Sequence, residues 1–164
     1  MKQKEKNFDS SAEFSQVFQD ADICRIALCD GNLPYIVAMN FGYSVEKKSI
    51  YFHTAKKGRK LDVISKNNNV CFQIDTAHKL IISDSACQCT MNFKSIVGNG
   101  NISIVQDEKE RNYGLNMIME HYTNKSDFSF ESRILNRTCV LKLTIVEMTG
   151  KTKGWSQAKL STNS

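Results

Sequence analysis

LPYIVAMNFGYSVEKKSIYFHTAKKGRKLDVI, residues 33–64, holds the pattern that decides the fold. Tyr35, Val37, Met39 and Phe41 alternate with Ile36, Ala38 and Asn40. That two-residue period predicts one long strand over 33–43. Glu46-Lys47-Lys48 is a polar turn, and residues 49–54 read as a second strand that pairs back on the first. On this strand Ile50, Phe52 and Thr54 share one face, and Tyr51 and His53 the other. The period then changes: Leu61 and Ile64 fall at helical spacing, which predicts a short helix over about 58–66. The junction between strand and helix is filled by Lys56, Lys57, Gly58, Arg59 and Lys60.

Upstream, Ser10 and Glu13 form a capping box ahead of Phe14, Val17, Phe18 and Ala21, the apolar stripe of a short helix. Residues 23–29 read as a strand, closed by the turn Asp30-Gly31-Asn32. Downstream, Asn67-Asn68-Asn69 breaks the chain before the alternating Val70, Phe72 and Ile74. Residues 76–90 show no clear period. Ile96, Gly98, Gly100, Ile102 and Ile104 share one face of a further strand, and glycines inside a strand call for a bulge or a close approach. Asp107 and Glu110 form a second capping box, followed by Leu115, Ile118, Met119 and Tyr122 on a helix of about four turns. Residues 123–137 read as polar loop. Leu141, Leu143 and Ile145 mark a last strand, and Gly150–Ser164 a polar tail with the only tryptophan, Trp155. About six strands in meander order with few helices predict a mainly β protein, a closed or nearly closed antiparallel barrel.

The chain has 164 residues, 41% apolar and 24% charged, which fits a single domain over 1–164 with a real core. Its net charge of +5 permits an anionic ligand without requiring nucleic acid. The aromatics alternate with aliphatic residues rather than with cations, which argues against a single-strand nucleic-acid surface. No apolar run reaches membrane-spanning length, and the charged N-terminus lacks a following apolar segment, so a cytoplasmic location is expected. In that compartment six cysteines imply no disulfides. Cys24, Cys71 and Cys139 fall in strand-like runs and are expected in or near the core. Cys87-Gln88-Cys89 is a lone pair without histidines at ligand spacing, so no metal site is expected.

The junction itself has chemistry. A helix start presents free N–H groups and partial positive charge. Gly58 lets the backbone curl around an oxyanion, Arg59 can hold a phosphate with two parallel hydrogen bonds, and Lys60 adds a point charge. Thr54 offers a hydroxyl at the strand end. These are the parts of a phosphate-monoester site. The plainer alternative is a solvated basic helix start, which opposes the helix dipole by up to about 1 kcal/mol. Walker A and Gly-x-Gly-x-x-Gly patterns are absent, so a mononucleotide-type cofactor fits better than ATP or NAD.

The order of segments resembles a known family. Residues 33–43 are followed by Phe52-His53-Thr54-Ala55, Gly58-Arg59-Lys60-Leu61-Asp62, Ser95-Ile96-Val97-Gly98-Asn99-Gly100 and Thr149-Gly150-Lys151. Together they are similar to the pyridoxamine 5′-phosphate oxidase-like flavoproteins, and more narrowly to their nitroimidazole-resistance (Nim) branch. The likeness spans about residues 20–151 and leaves 152–164 as a tail. It implies a six-stranded split barrel that binds FMN and forms homodimers with two flavins at the interface. It further implies that Arg59 and Lys60 hold the FMN phosphate, helped by Thr54 and the Gly58 backbone, and that His53 and Ala55 also touch the cofactor. Ile36 and Val37 would contact the ring through backbone, Asn40 would lie near it, and Ser95 and Ile96 would reach it from the second subunit. That contact would account for the glycine-bearing strand. His53 is the candidate catalytic residue, set to bind or protonate substrate.

The activity so implied is an FMN-dependent oxidoreductase that passes electrons, from NAD(P)H for instance, to a nitroaromatic such as a 5-nitroimidazole. The alternative is a non-catalytic flavin- or heme-binding barrel, with His53 as axial ligand. Two departures argue against pyridoxine phosphate oxidation. Tyr35 stands where the oxidase proper has an arginine, and its C-terminal substrate ligands have no counterpart in Lys151–Ser164.

Overall fold

The computed structural model describes residues 5–154. Eight strands form one sheet in which every pairing is antiparallel. The strands are β1 (Lys6–Phe8), β2 (Cys24–Asp30), β3 (Leu33–Met39), β4 (Phe41–Ser44), β5 (Ser49–Ala55), β6 (Asn69–Ile81), β7 (Thr90–Ile104) and β8 (Thr138–Lys153). The order is β3-β2-β6-β7-β8-β5-β4, with β1 added on β8. Helices α1 (Ser11–Asp20), α2 (Arg59–Lys66), α3 (Glu108–Thr123) and α4 (Ser132–Leu135) lie between strands.

The mainly β barrel expected from the period is present, but among the described residues it has eight strands rather than six. The long strand over 33–43 is two strands, parted at Asn40. Met39 and Phe41 are both buried, so the inward alternation runs through the break and the period cannot reveal it. What changes there is the partner. β3 pairs with β2, whereas β4 pairs with β5. Segment 33–44 therefore links the two edges of the sheet and rolls it into a barrel that is split along one seam.

β1 is too short to show a period. The last strand runs on to Lys153, so Gly150–Lys153 is strand rather than tail: Thr152 is buried between Lys94 and Lys6. The short α4 interrupts the expected loop, and Trp155 lies outside the described residues. β6 and β7 extend through the segment without a period. Past a register shift between Thr76 and Lys79 they form a two-stranded arm with Leu80, Ile82 and Met91 exposed. With no buried face along its tip, the arm has no reason to alternate.

Both N-caps form, but neither box closes: Ser10 Oγ accepts from the Glu13 N–H and donates to the Glu13 carboxylate, and Asp107 Oδ1 accepts from the Glu110 N–H at 2.8 Å while the Glu110 carboxylate is bound by Lys47, Tyr51 and Lys142 instead. α1 buries Phe14, Val17 and Phe18 in the barrel core with Ile26, Phe41, Phe52, Phe72 and Ile96. β5 is buried on both faces. Ile50 and Phe52 point into the barrel, while Tyr51 packs with Val105, Leu115, Ile118 and Val140 under α3.

Gly42 lets α3 sit directly on β4, since a Cβ there would run into the Met117 backbone carbonyl. Backbone cannot yield as a flexible side chain can. Gly42→Ala is therefore expected to cost about 2–3 kcal/mol, read as a lower midpoint in urea. An unchanged midpoint would show that α3 is free to lift.

Candidate cofactor site

The seam brings the junction residues to one region. β5 pairs with β4 only over Ser49–Phe52, so His53, Thr54 and Ala55 are paired on the β8 side alone. β3 likewise pairs with β2 alone. Asn40 and His53 flank the last shared pair, Phe41↔Phe52, and mark where the two strands part. Both face solvent, and Ile36 on β3 is 64% exposed. Val37 packs inward against the core, so only its backbone edge is open to a ligand.

α2 begins directly beyond β5. Its N-cap, Gly58, has φ 140° and ψ 158°, a conformation that L side chains rarely adopt, and space around it is open. Unlike α1 and α3, this helix has no side-chain cap. Leu61 N–H bonds back to the Gly58 carbonyl at 2.9 Å, which leaves the Arg59 and Lys60 N–H groups for a ligand.

Arg59 is not idle. Its Nε and Nη2 donate to Asp30 Oδ2 at 3.2 Å each, and its guanidinium lies 4.4 Å from the Tyr35 ring centre. The sequence places Asp30 in a turn and Tyr35 on a strand face, and neither is expected beside Arg59. They sit at the turn end of the β2–β3 hairpin, against which α2 packs, and only the topology shows that neighbourhood. Tyr35 thus gives the cation a flat surface to rest on.

Ser95 and Ile96 are not in this region. Ile96 is fully buried in the core, so its side chain is closed to any ligand. Ser95 pairs with Asp75 on the outer face of the sheet, beside Val97, which is 47% exposed. The glycines of that strand mark the bulge and the close approaches expected of them, both made within the barrel itself. A Cβ on Gly98 would come within 2.5 Å of the Phe72 ring, and one on Gly100 would strike the Thr144 carbonyl at the β7–β8 bulge.

Of the cysteines, Cys24 and Cys139 are buried and the other four exposed. Cys71 departs from expectation because it falls on the outer face of β6, opposite Ala27. Cys89 is tied to the arm by the Ser83 N–H, at 3.4 Å from its sulfur. His121 is a packing residue: its Nε2 lies 2.8 Å from the Ala21 carbonyl, its ring packs on Phe41 and Tyr122, and burial lowers its basicity.

A sheet rolled by one strand that changes partner, with a basic helix start at the open seam, defines a split-barrel protein. A family profile described as pyridoxamine 5′-phosphate oxidase matches residues 10–152. The chain belongs to that family, on its nitroimidazole-resistance side. The structure is similar to that of a candidate 5-nitroimidazole antibiotic resistance protein from Bacteroides thetaiotaomicron VPI-5482. The two share 30% identity over 93% of this chain and 90% of that one, with a TM-score of 0.79. An FAD and heme binding protein from Mycobacterium smegmatis shares the fold at 16% identity, covering 93% of this chain and 76% of its own, with a TM-score of 0.78. The flavocytochrome Anf3 from Azotobacter vinelandii does so at 16% identity, 92% and 72% coverage, and a TM-score of 0.72. No curated protein matches the chain. No helix among the described residues is long and apolar enough to cross a membrane.

Proposed function

We propose that the protein is an FMN-binding flavoprotein and an oxidoreductase whose acceptors include nitroaromatic compounds. The observation that carries this reading is the uncapped, glycine-started helix with Arg59 and Lys60, set at the open seam between β3 and the end of β5. From Tyr35 to Asn40 the free edge of β3 runs about 17 Å at 3.3 Å per residue. That is room for a ring system and a phosphorylated side chain laid end to end. Arg59, Lys60, the Gly58–Lys60 backbone and Thr54 would hold the phosphate. The free edge of β3 over residues 36–38, where the backbone of alternate residues is unpaired, would face the ring, with Asn40 and Ala55 at its rim.

Bound FMN would supply reversible two-electron chemistry. His53, exposed where the strands part, would orient an acceptor and hold a proton for it. The family's Nim side and the candidate nitroimidazole-resistance relative support this acceptor class. NAD(P)H is the proposed electron donor.

A homodimer is part of the proposal. Ile36, Ala27 and Cys71 lie in one cross-strand row of the outer face, and Ala38, Arg25, Gln73 and Val97 in the next. This exposed, partly apolar surface carries Ser95, and a second copy seated on it would bring that residue toward a flavin. Six unpaired thiols suit a reducing, cytoplasmic location. A second reading, a flavin or heme carrier without turnover, is favoured by the exposure of His53, whose side chain has no hydrogen-bond partner among the described residues.

An absorption spectrum of the purified protein incubated with FMN, before and after NADH or NADPH, tests these readings. Flavin bands that travel with the protein and bleach with nicotinamide are expected. A Soret band from the cell-derived protein would favour the carrier, and no retained chromophore would overturn the flavoprotein reading.

A further inference from the structure

A second built site lies on the outer face of the sheet, at the base of the β6–β7 arm. It is an open groove of about 440 Å³, lined by Arg25, Gln73, Asp75, His78, Phe93 and Ser95, with Met91 at its edge. Asp75 organises it. Arg25 Nη1 and Gln73 Nε2 donate to its Oδ1 at 2.6 and 2.8 Å, and His78 Nε2 lies 2.9 Å from its Oδ2. Both carboxylate oxygens are therefore engaged.

The register shift between Thr76 and Lys79 places His78 there. Ala77 sits in it with φ 57°, and the chain turns so that His78 comes back against Asp75. Such strain is retained where the surroundings over-determine it. Arg25 uses only Nη1 among the described residues, so the rest of its donor fork is open. The Ser95 hydroxyl is across from Asp75, and Phe93 follows on the same face.

The charges decide what fits. Arg25 is offset by Asp75 at hydrogen-bond distance, so the groove has little net attraction for a dianion. It offers directed donors beside an aromatic and a thioether wall. That combination suits a flat, uncharged ring that carries acceptor oxygens.

We propose that this groove is a recognition subsite for the electron acceptor: a planar nitroaromatic whose oxygens meet Arg25 and Ser95 while its ring lies on Phe93 and Met91, with His78 fixing Asp75 and through it the Arg25 fork. As an acceptor subsite it rests on the flavoprotein reading, and the homodimer would bring the groove to a flavin held at the partner's seam. As a binding site it stands on its own geometry.

The test is a titration of 4-nitrobenzyl alcohol, a neutral probe, into the purified protein, read by ligand-detected NMR. A parallel titration with FMN is read by flavin fluorescence. Arg25→Ala, His78→Asn and Phe93→Ala should each weaken probe binding at least fivefold and leave FMN affinity within twofold. Arg59→Ala should show the reverse. His78→Asn, on an exposed turn, guards against loss of fold as the cause. Probe binding that is absent in the parent, or equal in parent and all three groove variants, overturns the proposal whatever FMN does. A parent that takes up no FMN sinks the flavoprotein reading, while the probe titration still reports on the groove.

Discussion

Replacing Glu110 by glutamine is expected to lower stability by about 2–3 kcal/mol at pH 7 and to remove much of the protein's acid sensitivity. Glu110 is the third residue of α3, and its carboxylate gathers three donors from three other parts of the fold. Lys47 Nζ, from the β4–β5 turn, is 2.5 Å away, Lys142 Nζ, from β8, is at 2.8 Å, and the Tyr51 hydroxyl, from β5, is at 2.6 Å. The carboxylate side chain is 22% exposed and the two lysines 31% and 26%, so water screens the cluster only in part. It pins α3 to the strands at the end opposite Gly42. Glutamine keeps one acceptor for Tyr51 but loses the charge that two cations share. Removing one member of such a cluster leaves the others unpaired, which is costlier than losing an exposed pair. The corresponding fall in Tm is roughly 8 °C for a domain of this size. A variant that melts with the parent would show that Lys47 and Lys142 simply turn to water.

The pH dependence has a definite sign. Burial alone would push the Glu110 carboxyl up. The hydrogen bonds from Lys142, Lys47 and Tyr51 outweigh it and hold the group down at about 2, against an ordinary 4.5. A carboxyl depressed in the folded state contributes stability that is complete above the unfolded value. That stability is lost as pH falls through the folded one. The window is therefore pH 4.5 down to about 2. Over it the parent should lose at most about 3.5 kcal/mol from this group, at about 1.4 kcal/mol per unit, and less to the extent that water screens the cluster. The Glu110→Gln variant should show a flatter acid limb, and the two should converge near pH 2. Parallel limbs would mean that other carboxylates set the acid lability.

How much of this was legible beforehand depended on whether a feature is local. Capping is local, and Ser10 and Asp107 cap their helices where the spacing puts them, whereas the Glu110 carboxylate leaves its box for partners distant in sequence. The alternation of 33–43 was read correctly as inward and outward faces, but the change of partner at Asn40 leaves no trace in a two-residue period. That change is what opens the seam. The basic junction stood out because its charges oppose the helix dipole. Its partners Asp30 and Tyr35 did not, since a hairpin end becomes α2's neighbour only once the sheet has rolled up. The same holds for the Arg25–Asp75–His78 cluster. Arg25 lies on a different strand from the other two, and His78 reaches Asp75 only through a register shift in a stretch without a period.

Arg59→Ala is expected to raise the dissociation constant for FMN by roughly 10- to 100-fold, the loss of about 1.5–3 kcal/mol that a charge-assisted pair supplies. The fold should be unaffected, because Arg59 is half exposed and its bond to Asp30 is a surface pair, worth at most about 1 kcal/mol. Arg59→Lys should recover only part of the affinity, since an ammonium cannot make two parallel hydrogen bonds. The sharper test is Asp30→Asn. Asp30 holds the guanidinium over Tyr35, and an incoming phosphate would compete with that carboxylate. Removing its charge frees the arginine and takes a negative group away from a dianion. Asp30→Asn should therefore tighten FMN binding two- to fivefold. The two variants move affinity in opposite directions through one hydrogen-bonded pair, which a general loss of structure cannot imitate. Parent-like FMN affinity in Arg59→Ala would place the phosphate elsewhere. Weaker binding in Asp30→Asn would instead mean that the carboxylate orients Arg59 for the ligand rather than competing for it.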